Sequence, residues 1–178
     1  MAIHTPITPP CHSEAAPSFR PSPVTVLFGD MVRNLSAYIE AERDLEHCSG
    51  WDLACDAWIR DAERARNRVL DSLAQLDAMP PERHEDQPLK RLGKMAQLLI
   101  ESDTPKTFRD TLALQAYFPA LFRCADTSPI GRRTNQMIAA FQPHLNALSA
   151  LPDFMETIEA DHAEINRDDP DYLMAPAA

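Results

Sequence analysis

Apolar side chains recur along this chain at alternating steps of three and four, the spacing of one face of a helix. Phe28, Met31, Leu35, Tyr38 and Leu45 keep it through a first segment, with Glu42 in the remaining slot. Trp51, Cys55, Trp58, Ala62, Ala65, Val69, Leu73 and Leu76 sustain it longest. Leu89, Leu92, Met95, Ala96 and Leu99 form a third stripe, and Phe108, Leu112, Gln115, Phe118 and Phe122 a fourth. Ile130, Met137, Ile138, Phe141, Leu145 and Leu148 form a fifth, and Met155, Ile158, His162 and Ile165 a short sixth that begins at Asp153. No segment alternates with the period of two that a half-buried strand requires. The pattern predicts an all-α protein, an antiparallel bundle of five or six helices, with neighbours antiparallel because their connections are short.

Prolines mark the boundaries. Pro80 and Pro81 end the second helix, and the third restarts near Pro88. Thr104 or Asp103 caps the fourth with Pro105 at its first position, where a missing amide costs nothing. Ser128 and Pro129 repeat the device for the fifth. Pro119 should kink or end the fourth helix, and Pro143 should bend the fifth. Residues 1–23 hold six prolines, each fixing its own φ and removing a donor. They read as a disordered proline-rich leader. Residues 24–167 read as one helical-bundle domain and residues 168–178 as a flexible tail.

Only 4 glycines occur among 178 residues. That argues against turn-rich β architecture and against glycine loops that cradle phosphates. The formal net charge is −10, which on average repels nucleic acid and anionic membranes. Most of the excess lies between Asp153 and Asp171, where eight acids face only Arg167. One reading of this run is a solvated face with a loose acidic tail. The sharper one is an acidic arm that docks on a basic partner or on the protein's own middle. No apolar run is long enough to span a membrane, and the first residues lack the basic start and apolar core of a secretory signal. A cytoplasmic location follows, with Cys11, Cys48, Cys55 and Cys124 as reduced thiols.

Candidate chemistry is thin. The stretch "LEHCSGWDLACDAW" (residues 45–58) gathers His47, Cys48, Cys55, Gly50, Trp51 and Trp58. Zinc sites pair their ligands closely, and here Cys48 and Cys55 stand seven apart with no C-x-x-C. Cys11 and His12 could join His47 and Cys48 only by bringing ligands from the leader. A helix corner needs less: Gly50 at the turn, Ser49 and Asp52 as a weak capping box, and the tryptophans packed inward. Glu159 and His162 make a single E-x-x-H, where a di-iron bundle needs two, and Glu42 is one spare carboxylate. Cys124 has Arg123, Arg132 and Arg133 nearby in sequence, but no motif supplies a base. No phosphate loop, nucleophile elbow or haem motif occurs.

The sequence therefore points to no catalytic residue, no cofactor and no metal ligand. It favours a non-enzymatic helical protein that binds another protein, as adaptor or regulator, through an arm carrying Asp153, Glu156, Glu159, Asp161 and Glu164. One alternative is a small-molecule binder or enzyme with an interhelical pocket lined by Trp51, Trp58, Phe108, Phe118 and Phe141. Another is an acidic mimic that blocks a nucleic-acid-binding surface. Direct contact with nucleic acid or membrane is not expected.

Overall fold

Three helices begin with the same two-residue device, a hydroxyl side chain followed by proline. The computed structural model describes residues 20–46, 48, 55–102, 104–152 and 154. Its elements are α1 (Pro23–Leu45), α2 (Cys55–Ala78), α3 (Asp86–Ile100), α4 (Pro105–Tyr117), a 3-10 helix (Pro119–Phe122) and α5 (Pro129–Ser149). Ser22, Thr104 and Ser128 cap α1, α4 and α5, each accepting from the backbone N–H three residues on, at 3.2, 3.2 and 3.0 Å. Proline stands at the head of all three, where its fixed φ suits the helix. Two of these caps match the sequence expectation. The third, Ser22 with Pro23, begins α1 inside the segment read as leader. The expected short helix from Asp153 and the last residues lie outside the described residues, apart from Phe154.

The observed ends show how the chain travels. Cys48, just past α1, is disulfide-bonded to Cys55 at the start of α2, with Cα atoms 5.8 Å apart. The expectation of four reduced thiols is thus corrected at these two positions: the corner between α1 and α2 brings them within bonding reach. At the other end, Lys90 of α3 donates to the Asp77 and Met79 carbonyls that finish α2, at 2.8 and 2.6 Å. Arg66, midway along α2, donates to the carbonyl of Ile100, the last residue of α3. Arg91, near the start of α3, donates to the Leu121 carbonyl just beyond α4. Asp126, ahead of α5, lies beside His84 and Glu85, ahead of α3. Direction therefore alternates from α1 to α5, and α1, α3 and α5 all start at one end.

The core is built from the predicted stripes. Phe28, Met31, Leu35, Val69, Leu73, Leu76, Leu89, Leu92, Leu99, Phe141, Leu145 and Leu148 are buried in one cluster. Phe28 of α1 meets Phe141 of α5 edge to face, centroids 5.5 Å apart, a favoured aromatic geometry. Gly93 lets α3 approach α2 closely, since a Cβ there would stand 2.5 Å from Leu76 Cδ2. α5 runs helical through Pro143.

Two expected core residues are corrected. Trp58 is 39% exposed. α3 ends level with Arg66, so the first turns of α2 extend beyond it and α3 cannot cover the indole. Phe118 is 52% exposed. α4 makes its last turn with the Phe118 N–H on the Leu114 carbonyl. The backbone then leaves helical geometry at Phe118 (φ −128°, ψ 55°), because the following proline disfavours the α region there.

One polar knot joins the end where three helices start. Asp86 is buried. One of its oxygens accepts from the Ser22 hydroxyl at 2.6 Å, and the other from the Glu82 and Arg83 N–H groups at 3.0 and 3.1 Å. A single carboxylate thus links the α1 cap to the α2–α3 loop.

Candidate functional site

The outward side of α4 carries its own apolar stripe. Leu114, Tyr117, Phe118 and Leu121 are 38%, 76%, 52% and 45% exposed. Leu114, Tyr117 and Phe118 are spaced as on a helical contact face, and Leu121 follows them on the 3-10 helix. The inward side of the same segment is anchored separately. Phe108 and Phe122 are buried, and Leu112 packs partly against the core. α4 is therefore apolar on two sides, and only one of them is spent on the bundle. The sequence reading missed the outer stripe because Phe118 was assigned to the inner one. The signal was present in Leu114, Tyr117 and Leu121.

A groove runs beside this stripe. α4 packs on α3, and α5 packs on α1 and α3, which leaves α4 and α5 to flank a gap. Gln115 of α4 reaches across it and donates to Gln142 of α5 at 2.7 Å. The groove has a volume of about 460 Å³, with Pro119, Phe122, Arg123, Asn135 and Ile138 among its walls. Its lower wall is held rigidly. The Asn135 side chain accepts from the Cys124 N–H at 3.0 Å and donates to the Cys124 carbonyl at 2.9 Å. This clasp ties the turn after the 3-10 helix to α5.

Among the described residues the groove offers no reacting group. Cys124 carries a free thiol but is buried, as inert structural cysteines are. Of the arginines near it in sequence, Arg132 is spent on the Thr127 carbonyl and Arg133 reaches Gln136.

Another cluster, His84, Glu85 and Asp126, places its ligand atoms within 4.8 Å of one another. Glu85 is buried and His84 exposed. Asp126 is already committed: it accepts from the Ser128 N–H at 3.0 Å. The Ser128 side chain first, and this backbone bond second, hold its carboxyl below the ordinary carboxylate range. Acids at this end balance the partial positive charge of the helix starts that meet there.

No family model, curated protein or solved structure matches the chain.

The five acids assigned to partner binding (Asp153, Glu156, Glu159, Asp161 and Glu164) lie outside the described residues, as do Glu159–His162 and the Cys11, His12 and His47 ligand set. Of the five aromatics proposed to line a pocket, Trp51 lies outside them too. The other four are not brought together. Trp58 and Phe118 sit at opposite ends of the bundle, Phe141 is buried against Phe28, and Phe108 stacks on Phe154. Glu42 is half-buried near the end of α1, beside Tyr38 and Phe154.

Proposed function

We propose that this chain is a helical protein-binding module, an adaptor or regulator rather than an enzyme, and that its contact face is the outer side of α4 and the 3-10 helix. The observation that carries this reading is the outward stripe Leu114, Tyr117, Phe118 and Leu121 beside the α4–α5 groove. A contiguous apolar patch next to a groove is how helical proteins accept an amphipathic segment. Tyr and Phe are also effective anchors at such faces. The buried polar groups nearby are occupied in capping and clasping, which supports a rigid platform rather than a reactive site. Among the described residues no helix is long and apolar enough to cross a membrane.

The test is affinity capture from the native cell with the wild-type chain and with a Phe118→Asp/Leu121→Asp variant. Both side chains are exposed, so the variant should keep its helical circular dichroism. A protein captured by the wild type should fall about tenfold or more with the variant, as for loss of a central anchor. Identical capture by both chains would remove this face from the account.

A cytoplasmic setting requires the Cys48–Cys55 bond to be reduced, because stable disulfides belong to oxidising compartments. Intact mass of the native protein, with free thiols alkylated, decides which setting applies.

A further inference from the structure

Away from the α4–α5 groove, three donor side chains converge from two loops. His84 and Glu85 sit in the turn that enters α3, and Asp126 in the loop that enters α5. One ligand atom from each lies within 4.8 Å of the other two. His84 Nδ1 stands 3.3 Å from Glu85 Oε2. Zn2+ bonds of ~2.0–2.1 Å set neighbouring ligands roughly 3.4 Å apart in a tetrahedron. The His84 side chain is 76% exposed and Asp126 is half-buried, so side-chain rotation brings the remaining donor to that spacing.

Glu85 is the residue that calls for a ligand. It stands at the N-cap of α3, yet its side chain makes no cap bond. The side chain is only 7% exposed, and its carboxylate turns instead toward His84 and Asp126. Among the described residues no Lys or Arg pairs with Glu85 or Asp126. Arg91 and Arg132 are engaged elsewhere, on the carbonyls of Leu121 and Thr127. A buried carboxylate that faces another, with only an imidazole beside it, carries a desolvation cost that a cation offsets. The Ser128 N–H holds Asp126 by Oδ1, which fixes the carboxyl's direction as hydrogen bonds to metal ligands do.

We propose that His84, Glu85 and Asp126 bind a divalent transition-metal ion of the Zn2+ class, which clasps the turn before α3 to the loop before α5. One imidazole and two carboxylates suit Zn2+, whereas Ca2+ takes six or more oxygens and Mg2+ keeps most of its waters. Three protein ligands leave one position for water on the exposed His84 side. The site shares no residue with the outer stripe of α4, so it stands or falls independently of the protein-binding reading.

Zinc chloride titrated into the EDTA-stripped full chain tests the site, at pH ~7.5, where imidazole is mostly neutral. Calorimetry reads affinity, and amide chemical shifts locate the ion. The wild type should bind Zn2+ with its shifts concentrated in 83–86 and 124–128, and its thermal midpoint should rise. Glu85→Gln and His84→Ala should each weaken binding about tenfold or more, since losing even a hydrogen-bond partner of a ligand costs about 10–100-fold. His144→Ala, remote on α5, should bind as the wild type does. His84 is exposed, so His84→Ala should keep its helical circular dichroism and reports on the ligand alone. A wild-type chain that gives neither heat nor shifts overturns the proposal. Equal affinity in Glu85→Gln and His84→Ala does so too, because the ion then sits on other donors. An equal response to Mg2+ also overturns it, as that marks diffuse attraction to a chain of net charge −10.

Discussion

Replacing Asp86 by alanine deprives three donors of their acceptor at once: the Ser22 hydroxyl and the Glu82 and Arg83 N–H groups. Ser22 and Asp86 are both almost fully buried, so water does not freely restore the bond between them. A hydrogen bond to a charged group contributes about 1.5–3 kcal/mol. The two loop amides are only part-buried and can recruit solvent, so the three do not add in full. We expect a loss of roughly 3–4 kcal/mol, a large share of the ~5–15 kcal/mol that holds a domain of this size.

Asparagine in place of Asp86 should cost only about 1 kcal/mol. Its oxygen can face the loop amides while its NH2 donates to Ser22 Oγ, whose proton then turns to Thr25 Oγ1, 2.9 Å away. Ser22→Ala alone removes a helix cap and this contact together, for about 1–2 kcal/mol. In the Asp86→Ala background it should cost about 1 kcal/mol less, because the contact is already gone. Urea unfolding followed by helical circular dichroism, with all four chains in one cycle, measures each term. An Asp86→Ala loss below ~1 kcal/mol, or no coupling to Ser22, would refute the view of this carboxylate as the joint between α1 and the α2–α3 loop.

The remaining expectations concern backbone, disulfide and pH. A Cβ on Gly131 would lie 2.3 Å from the Asp126 carbonyl oxygen, whereas one on Gly29 meets nothing within 4 Å. Gly131→Ala should therefore destabilise by about 2 kcal/mol or more, and Gly29→Ala should stabilise by up to ~1 kcal/mol; equal thermal midpoints for the two variants would contradict the packing described. The Cys48–Cys55 bond closes a loop of sequence separation 7, so Cys48→Ala/Cys55→Ala should lower unfolding stability by roughly 2–3 kcal/mol. A reductant should lower the wild-type midpoint and leave the variant's unchanged. The Asp126 carboxyl is held below its ordinary value in the folded chain. Its contribution is present above the unfolded pKa and is lost as pH falls through the folded one. Asp126→Asn should therefore flatten the acid limb of stability against pH; a limb identical to the wild type's assigns acid unfolding to other groups.

Much of the fold was legible because burial here follows helical period. Leu89, Leu92, Met95, Ala96 and Leu99 were assigned inward as a set and are all buried. The Thr104–Pro105 and Ser128–Pro129 caps were legible for a local reason, since a hydroxyl acceptor and a fixed φ act within one turn. What failed depended on distant neighbours. Trp58 lies on the right stripe, but its exposure is set by where α3 stops, which no local pattern encodes. Phe118 was misassigned because period alone does not say on which residue a helix ends before a proline. The role of Asp86 was invisible, because its partners at Ser22 lie 64 positions away in sequence. The candidate face was half legible: Leu114, Tyr117 and Leu121 carry a second stripe, but which of two stripes is buried depends on α3 and α5.

The five alternating helices among the described residues have a geometric consequence for anything attached to them. α1 begins at one pole of the bundle and α5 finishes at the other. Their 23 and 21 residues set the poles about 30 Å apart, at ~1.5 Å per residue. Cargo joined directly to Pro23 and directly to Phe154, in place of the flanking residues, would be held apart like weights on a dumbbell, whereas a four-helix version of the same bundle would bring them side by side.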